Sequence, residues 1–200
     1  TESCVPSMTA SRLCRLATLG LLVTSASAPA LAQTPAIATR AEDLAALLAR
    51  TAPKADRHVL QLAAQAMRCA LLRPELGISG ERLSVIDYSR PSTEPRLWVF
   101  DLAHQRLLFE EWVAHGRNSG ENRTEHFSNR DGSYMSSLGV FTAQETYMGG
   151  NGYSLRLAGL EPGFNDRARE RAIVIHGAPY VNPATAQLQG RLGRSLGCPA

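Results

Sequence analysis

The feature that most restricts the fold is a change of hydrophobic period at Leu83, after which the helical spacing gives way to short apolar runs. Six such runs are rich in β-branched and aromatic residues and are separated by turn residues: LSVIDY, RLWVFD, RLLFEEWVAH, LGVFTAQE, YSLRL and RAIVIHG. The linking sequence DLAHQ, between the second and third runs, predicts a tight hairpin. We therefore expect residues 78–200 to be mainly β, as a sandwich or a partly closed barrel.

Two amphipathic helices are predicted upstream, in residues 39–77. The first begins at a capping box formed by Thr39 and Glu42. The second runs from about residue 55 to residue 72. Its apolar stripe comprises Val59, Leu62, Ala63, Ala66, Met67, Ala70 and Leu71. We expect both helices to cover one side of the β domain, and residues 33–38 to form a linker.

Residues 1–32 have the pattern of a secretory signal peptide with a few residues upstream. Arg12 and Arg15 form a charged region, residues 16–23 are apolar, and Ala30-Leu31-Ala32 is an A-x-A cleavage site. A retained membrane anchor is the other interpretation, but the apolar stretch is far short of the roughly 20 residues that a membrane span needs. The pattern predicts an exported protein with no stable membrane anchor.

Cleavage before Gln33 would leave Cys69 and Cys198 in an oxidising compartment. A disulfide between them is one interpretation. The other, which we favour, is that Cys69 packs as a small hydrophobic residue on the apolar face of the second helix.

The closing segment GRSLGCPA places Cys198 22 residues after His176. An imidazole beside a thiol can take its proton and so make the sulfur a nucleophile at neutral pH. The amides of Gly197 and Cys198 are candidates for an oxyanion hole, and Ser195 is a candidate for a hydrogen bond near the pair or for shaping the turn. A buried cysteine and an unrelated histidine remain the alternative. The intervening sequence ATAQLQGRL predicts a short helix.

Four further residues are candidates for substrate binding. Ser154 and Arg156 alternate along a predicted strand, so they project together and, with Tyr153, are candidates to line a groove. Arg194 is a candidate to bind a substrate carboxylate, and a solvated loop arginine is the alternative. His115 is either a second catalytic histidine or a structural one.

Charge and ligand spacing argue against two classes of partner. The formal net charge is only +3 and no basic run is present, so nucleic acid is not expected as a partner. No pair of histidines has ligand spacing with a third donor, so the sequence predicts no metal site.

The sequence VIHG, followed by GRLGRSLGCPA, resembles the murein L,D-transpeptidase catalytic domain (YkuD-like) family. The family motif is His-Gly, a loop, and then Ser/Thr-His-Gly-Cys. Ser195, Gly197 and Cys198 match it, whereas Leu196 stands where the second histidine is usual. The sequence SSLGVF and the Cys-Pro-Ala ending also resemble family segments, and the resemblance covers about residues 84–200.

The resemblance implies a nucleophilic Cys198, a basic His176 and an L,D-transpeptidase-type β fold. Such an enzyme cleaves a peptidoglycan stem tetrapeptide before its terminal D-alanine, and an amine resolves the thioester into a 3→3 cross-link. It needs no cofactor. Water as acceptor would give an L,D-carboxypeptidase, and Leu196 leaves open a non-catalytic peptidoglycan-binding envelope protein. The family also implies a bacterial periplasm or cell envelope, and a further strand beyond Ala200 in a truncated sequence.

Overall fold

The computed structural model describes residues 40–200, which form three α-helices, one short 3₁₀ helix and six strands. In chain order the elements are α1 (Ala41–Thr51), α2 (Arg57–Leu71), the 3₁₀ helix (Pro74–Leu76), β1 (Arg82–Ile86), β2 (Leu97–Asp101), β3 (Arg106–Glu111), β4 (Phe141–Gly149), β5 (Gly152–Gly159), β6 (Val174–His176) and α3 (Pro183–Gln189). The predicted signal peptide and linker lie outside the described residues.

Helix α2 begins where an aspartate satisfies its first backbone amides. The side chain of Asp56 accepts hydrogen bonds from the amides of His58 at 2.7 Å and Val59 at 3.1 Å. The N-cap of α1 is Arg40, which makes no side-chain cap bond, and Thr39 of the predicted capping box lies outside the described residues.

The predicted apolar stripe of α2 is wrong at one position. Leu62 is 51% exposed, whereas Leu60, Ala64, Met67 and Ala70 are buried. The four buried residues follow helical spacing and so lie on one face of α2. Leu62 lies about 200° around the helix from Leu60, on the opposite side. The buried face is therefore centred elsewhere than the sequence suggested.

The six predicted strands are confirmed, and they form two antiparallel sheets of three strands each, ordered β1-β2-β3 and β4-β5-β6. The hairpin between β2 and β3 pairs Asp101 with Arg106, as DLAHQ predicted. No closed barrel is present in residues 40–200, and no strand of one sheet is hydrogen-bonded to the other. The predicted short helix in ATAQLQGRL is confirmed as α3.

Three apolar clusters hold these elements together. The largest joins α1 and α2 to the first sheet, so the helices cover one side of that sheet as expected; its fully buried members include Leu48, Leu60 and Trp98. The second packs Leu192 and Ala200 against Ala114. The third packs Leu157 and Ile173 on Ala168. The chain end and the start of β6 are thus both anchored by burial.

The long polar stretch 118–137 contains no helix or strand. Within residues 40–200, no helix is long and apolar enough to cross a membrane.

Candidate active site

Ser195 organises the turn formed by residues 195–198, which carries the candidate nucleophile Cys198 and which we call the nucleophile turn. Its backbone pairs with the neighbouring segment, because the Ser195 amide donates to His115 O at 2.9 Å and the Arg117 amide donates to Ser195 O at 2.8 Å. Its hydroxyl accepts from the Gly197 amide at 3.1 Å and donates to Cys198 O at 2.6 Å. Ser195 therefore stabilises the turn through its own hydroxyl.

Gly197 occupies a position that only glycine fits easily. Its φ is +128°, and a β-carbon there would lie 2.9 Å from Met135 O. On another side, the Gly197 Cα lies 3.0 Å from the β-carbon that a side chain at Gly116 would add. Two glycines thus let the nucleophile turn approach the neighbouring backbone closely.

The structure does not leave both predicted oxyanion donors available. The Gly197 amide is bound to Ser195 Oγ. The Cys198 amide has no hydrogen-bond partner among residues 40–200, so it is the donor that remains open to a substrate oxygen.

The backbone segments that carry Cys198 and His176 lie side by side because the chain end runs beside β6. The His176 amide contacts Pro199 O at 3.4 Å, and the Ala114 amide donates to Ala200 O at 2.7 Å. Two residues separated by 22 positions thereby lie on adjacent backbone segments. Within the described part of the chain, no hydrogen bond joins the imidazole to the thiol.

One ring nitrogen of His176 already has a hydrogen-bond partner. His176 is 8% exposed, and its Nδ1 lies 2.9 Å from Gly177 O. A carbonyl only accepts, so Nδ1 carries the proton of the neutral ring and Nε2 keeps its lone pair. The nitrogen available as a base is therefore Nε2.

Cys198 is a half-buried free thiol, so it forms no disulfide with Cys69. Its Sγ lies 3.8 Å from Ala172 O. Burial raises the pKa of the Cys198 thiol, against the opposing effects of the Val174 backbone and the Arg171 charge. The resting thiol is consequently protonated at neutral pH.

Two of the three predicted groove residues on β5 share a face with His176. Ser154 pairs directly with His176 and Arg156 with Val174, and paired residues of an antiparallel sheet lie on the same face. Tyr153 alternates to the opposite face and is 67% exposed.

Arg156 is held in place on that face. Its guanidinium contacts Glu145 at 3.1 Å and lies 4.3 Å from the centre of the Tyr147 ring. Ser154 Oγ donates to Gly152 O at 3.1 Å.

Arg194 is already bound to an acidic side chain of its own chain. Its Nη1 lies 2.7 Å from Glu121 Oε1 and 3.1 Å from both Arg117 O and Gly120 O. Arg191 contacts the same carboxylate at 2.8 Å. In this structure the two arginines attach the loop before Cys198 to residues 117–121.

His115 has both ring nitrogens occupied in the interior. Arg96 Nη2 donates to Nδ1 at 2.8 Å, so the neutral ring carries its proton on Nε2, which lies 3.2 Å from Gly120 O. Burial, followed by the Arg96 charge, lowers the pKa of His115 to about 4. This environment fits the structural alternative for His115.

Two arginines that the sequence did not single out lie behind the site. Arg96 is fully buried, and its donors reach Val113 O, Arg90 O and Thr124 as well as His115. Arg171 is hydrogen-bonded to the polar segment beside Gly197. The sequence held a signal only for Arg96, which begins an otherwise apolar predicted strand and could therefore have been recognised as a buried charge.

Two surface clefts of about 500 Å³ and 510 Å³ are lined by residues of the polar stretch, and neither is lined by Cys198 or His176. Met135 lines the second cleft and also contacts the Gly197 position, which connects that cleft to the nucleophile turn. Among the described residues, no group of three or more His, Cys, Asp or Glu side chains is arranged to hold a metal ion.

Comparison with known proteins agrees with the family that the sequence resembles. A family model described as the L,D-transpeptidase catalytic domain matches residues 51–200, which includes α2, both sheets and the chain end. No curated protein and no solved structure matches the chain. Because the match covers most of the sequence, the chain belongs to the L,D-transpeptidase catalytic domain family.

Proposed function

We propose that this protein is an exported peptidoglycan L,D-transpeptidase with Cys198 as nucleophile and His176 as base. The observation that carries the proposal is the contact of the His176 amide with Pro199 O, which places His176 and Cys198 on adjacent backbone segments in a chain of this family. Residues 1–32 are proposed to direct export to a bacterial periplasm or envelope. The two sheets are proposed to pack as a sandwich, in a catalytic domain covering residues 78–200.

The reaction uses the open nitrogen of His176. Nε2 takes the thiol proton, and Cys198 Sγ attacks the carbonyl of the third residue of a stem tetrapeptide. The Cys198 amide donates to the resulting oxyanion. The C–N bond to D-alanine breaks, D-alanine leaves with the proton from His176, and a thioester remains.

An amine of a second stem peptide completes the transfer. It attacks the thioester carbonyl, forms the new amide bond, and returns the proton to the sulfur by way of His176. The thioester conserves the energy of the broken amide, so the transfer needs no ATP, metal or other cofactor.

The face shared by Ser154, Arg156 and His176 is the proposed position of the donor stem peptide. Arg156 would bind a stem carboxylate in exchange for Glu145, which is itself half exposed. Tyr153 is proposed to contact substrate from the strand end. Arg194 is proposed to bind a carboxylate only after its release from Glu121.

Two alternatives share this fold. With water as the acceptor, the protein would be an L,D-carboxypeptidase. Leu196, which is 61% exposed where the family motif has histidine, favours a non-catalytic peptidoglycan-binding protein.

Incubation with a disaccharide-tetrapeptide and analysis by mass spectrometry separate these functions. A transpeptidase yields cross-linked dimer, released D-alanine and an acyl adduct on the peptide that contains Cys198. Shortened monomer without dimer would identify the carboxypeptidase. Binding of the muropeptide with neither product nor adduct would identify the non-catalytic protein and contradict our proposal.

Replacing His176 with glutamine is expected to lower the rate of acyl-adduct formation by roughly 10²- to 10⁴-fold, because the base that takes the thiol proton is lost. The measurement is the rate of D-alanine release. His58→Gln is the control, since His58 lies exposed in the first turn of α2. A His176→Gln protein as active as the control would exclude His176 as the base.

A further inference from the structure

Arg171 fastens the long polar stretch to the start of β6. Its planar guanidinium donates four hydrogen bonds, to Ser128 O (2.5 Å), Ser137 Oγ (2.6 Å), Ser133 Oγ (3.1 Å) and Met135 O (2.8 Å). Two of these acceptors are backbone carbonyls in a segment that has no sheet or helix partners. Arg171 therefore supplies much of the fixed geometry of residues 128–137.

The same guanidinium lies against the nucleophile turn. A β-carbon at Gly197 would be 3.6 Å from Arg171 Nη2 and 2.9 Å from Met135 O, which Nη2 itself holds. The carbonyl of the next residue, Ala172, is the group that Cys198 Sγ contacts. Ala172 has a φ of +55°, so the backbone at this contact adopts a conformation that non-glycine residues rarely adopt.

Arg171 differs from the neighbouring arginines in its charged contacts. Arg167 pairs with Glu170 at 2.9 Å and Arg169 pairs with Glu145 at 3.0 Å. Arg171 forms no such ion pair within residues 40–200. A half-buried cation that no carboxylate contacts favours an anion that forms nearby.

The geometry points to Arg171 as a positioning residue that favours the thiolate form of Cys198 and holds residues 128–137 beside it. Arg171 need not touch the substrate, because it acts on the sulfur through its charge and on the turn through Met135. The inference depends on the proposed function only in that the thiolate is taken to be the attacking group.

Several titratable or charged groups lie around Arg171 and Cys198. His176 lies on β6, whose backbone contacts the chain end, and Asp131 and Arg167 lie near enough to Arg171 for their charges to affect its ionisation. The others, which lie near enough for the charge of Cys198 to affect their ionisation, are Tyr88 and Tyr180. Burial raises the pKa of both tyrosines, so both are neutral at pH 7, and Arg171 is the cation whose charge acts on the Cys198 thiol.

The test is the pH dependence of Cys198 alkylation by iodoacetamide in the full chain. Mass spectrometry of the Cys198 peptide follows the rate from about pH 6 to pH 10, the range in which thiols titrate. We expect Arg171→Gln to slow alkylation about tenfold at pH 7, because loss of the cation raises the pKa of the thiol further. Arg171→Lys keeps the cation, and its rate should remain within about threefold of the wild type.

Arg167→Gln is the matched control, because it removes the same charge from the same segment at an exposed ion pair. Its rate should remain within about twofold of the wild type. If the Lys and Gln variants of Arg171 are slowed equally, the role is only structural and the inference is wrong. Unchanged alkylation in Arg171→Gln would also overturn it.

The muropeptide assay separates this inference from the proposed function. If wild-type protein forms no product but Arg171→Gln still slows alkylation, the inference stands and the proposed function fails. If wild-type protein forms dimer and Arg171→Gln alkylates normally, only the inference fails.

Discussion

Replacing Cys198 with alanine is expected to lower the rate of D-alanine release by roughly 10⁴- to 10⁶-fold, the loss seen when a nucleophile is removed from a covalent mechanism. Only a thiol can form the thioester, and the other cysteine within residues 40–200 is Cys69, which lies in α2. The hydroxyl of Ser195 already donates to Cys198 O and accepts from the Gly197 amide. Loss of the acyl adduct on the Cys198 peptide should accompany loss of product.

Cys69→Ala is the control for this prediction, because Cys69 lies in α2, which packs against the first sheet and not at the nucleophile turn. It should keep wild-type turnover. Thermal unfolding of both variants should resemble that of the wild type, because Cys198 is only half buried. Substantial D-alanine release by a folded Cys198→Ala protein would exclude the cysteine mechanism.

The second large effect is expected on stability, from Arg96→Met. Arg96 has no solvent exposure, and burial lowers its pKa to about 10, so it is buried as a cation at neutral pH. Methionine would fill much of the volume but leave Val113 O, Arg90 O and His115 Nδ1 without their donor. Each buried acceptor left unsatisfied costs about 1–3 kcal/mol, so we expect a loss of about 3–5 kcal/mol in the free energy of unfolding.

Urea denaturation followed by tryptophan fluorescence measures this loss. Arg106→Met is the matched control, because Arg106 is 63% exposed at its contact with Asp101 and should cost less than about 1 kcal/mol. The Arg96→Met protein should also have a disturbed nucleophile turn, since His115 O accepts the Ser195 amide. A loss no larger than that of the control would show that the buried network contributes little.

The secondary structure was largely predictable because its signals are local. Short runs rich in β-branched and aromatic residues identified all six strands, and the helical pattern identified α2 and α3. The error at Leu62 has the same origin. Periodicity shows that a helix has an apolar face, but the partner surface decides where that face is centred, and here β1 and β2 select Leu60 and Met67.

The candidate catalytic pair was also visible in the sequence, because family motifs are contiguous and His176 and Cys198 each lie in one. The roles of the surrounding polar groups were not. Arg194 was a candidate for a substrate carboxylate, yet it is occupied by Glu121, 73 residues away. The Gly197 amide was a candidate oxyanion donor, yet it is bound by Ser195.

The sequence by itself determined the order of strands and helices and the resemblance to the family, and it singled out the candidate cysteine–histidine pair. Each of these depends on residues close together in the chain or on a motif of fixed spacing. Only the tertiary structure decided the open nitrogen of His176, the protonated resting thiol, and the positions of Arg96 and Arg171. Burial, charge and hydrogen-bond occupancy depend on residues brought together from distant segments, and no local pattern encodes them.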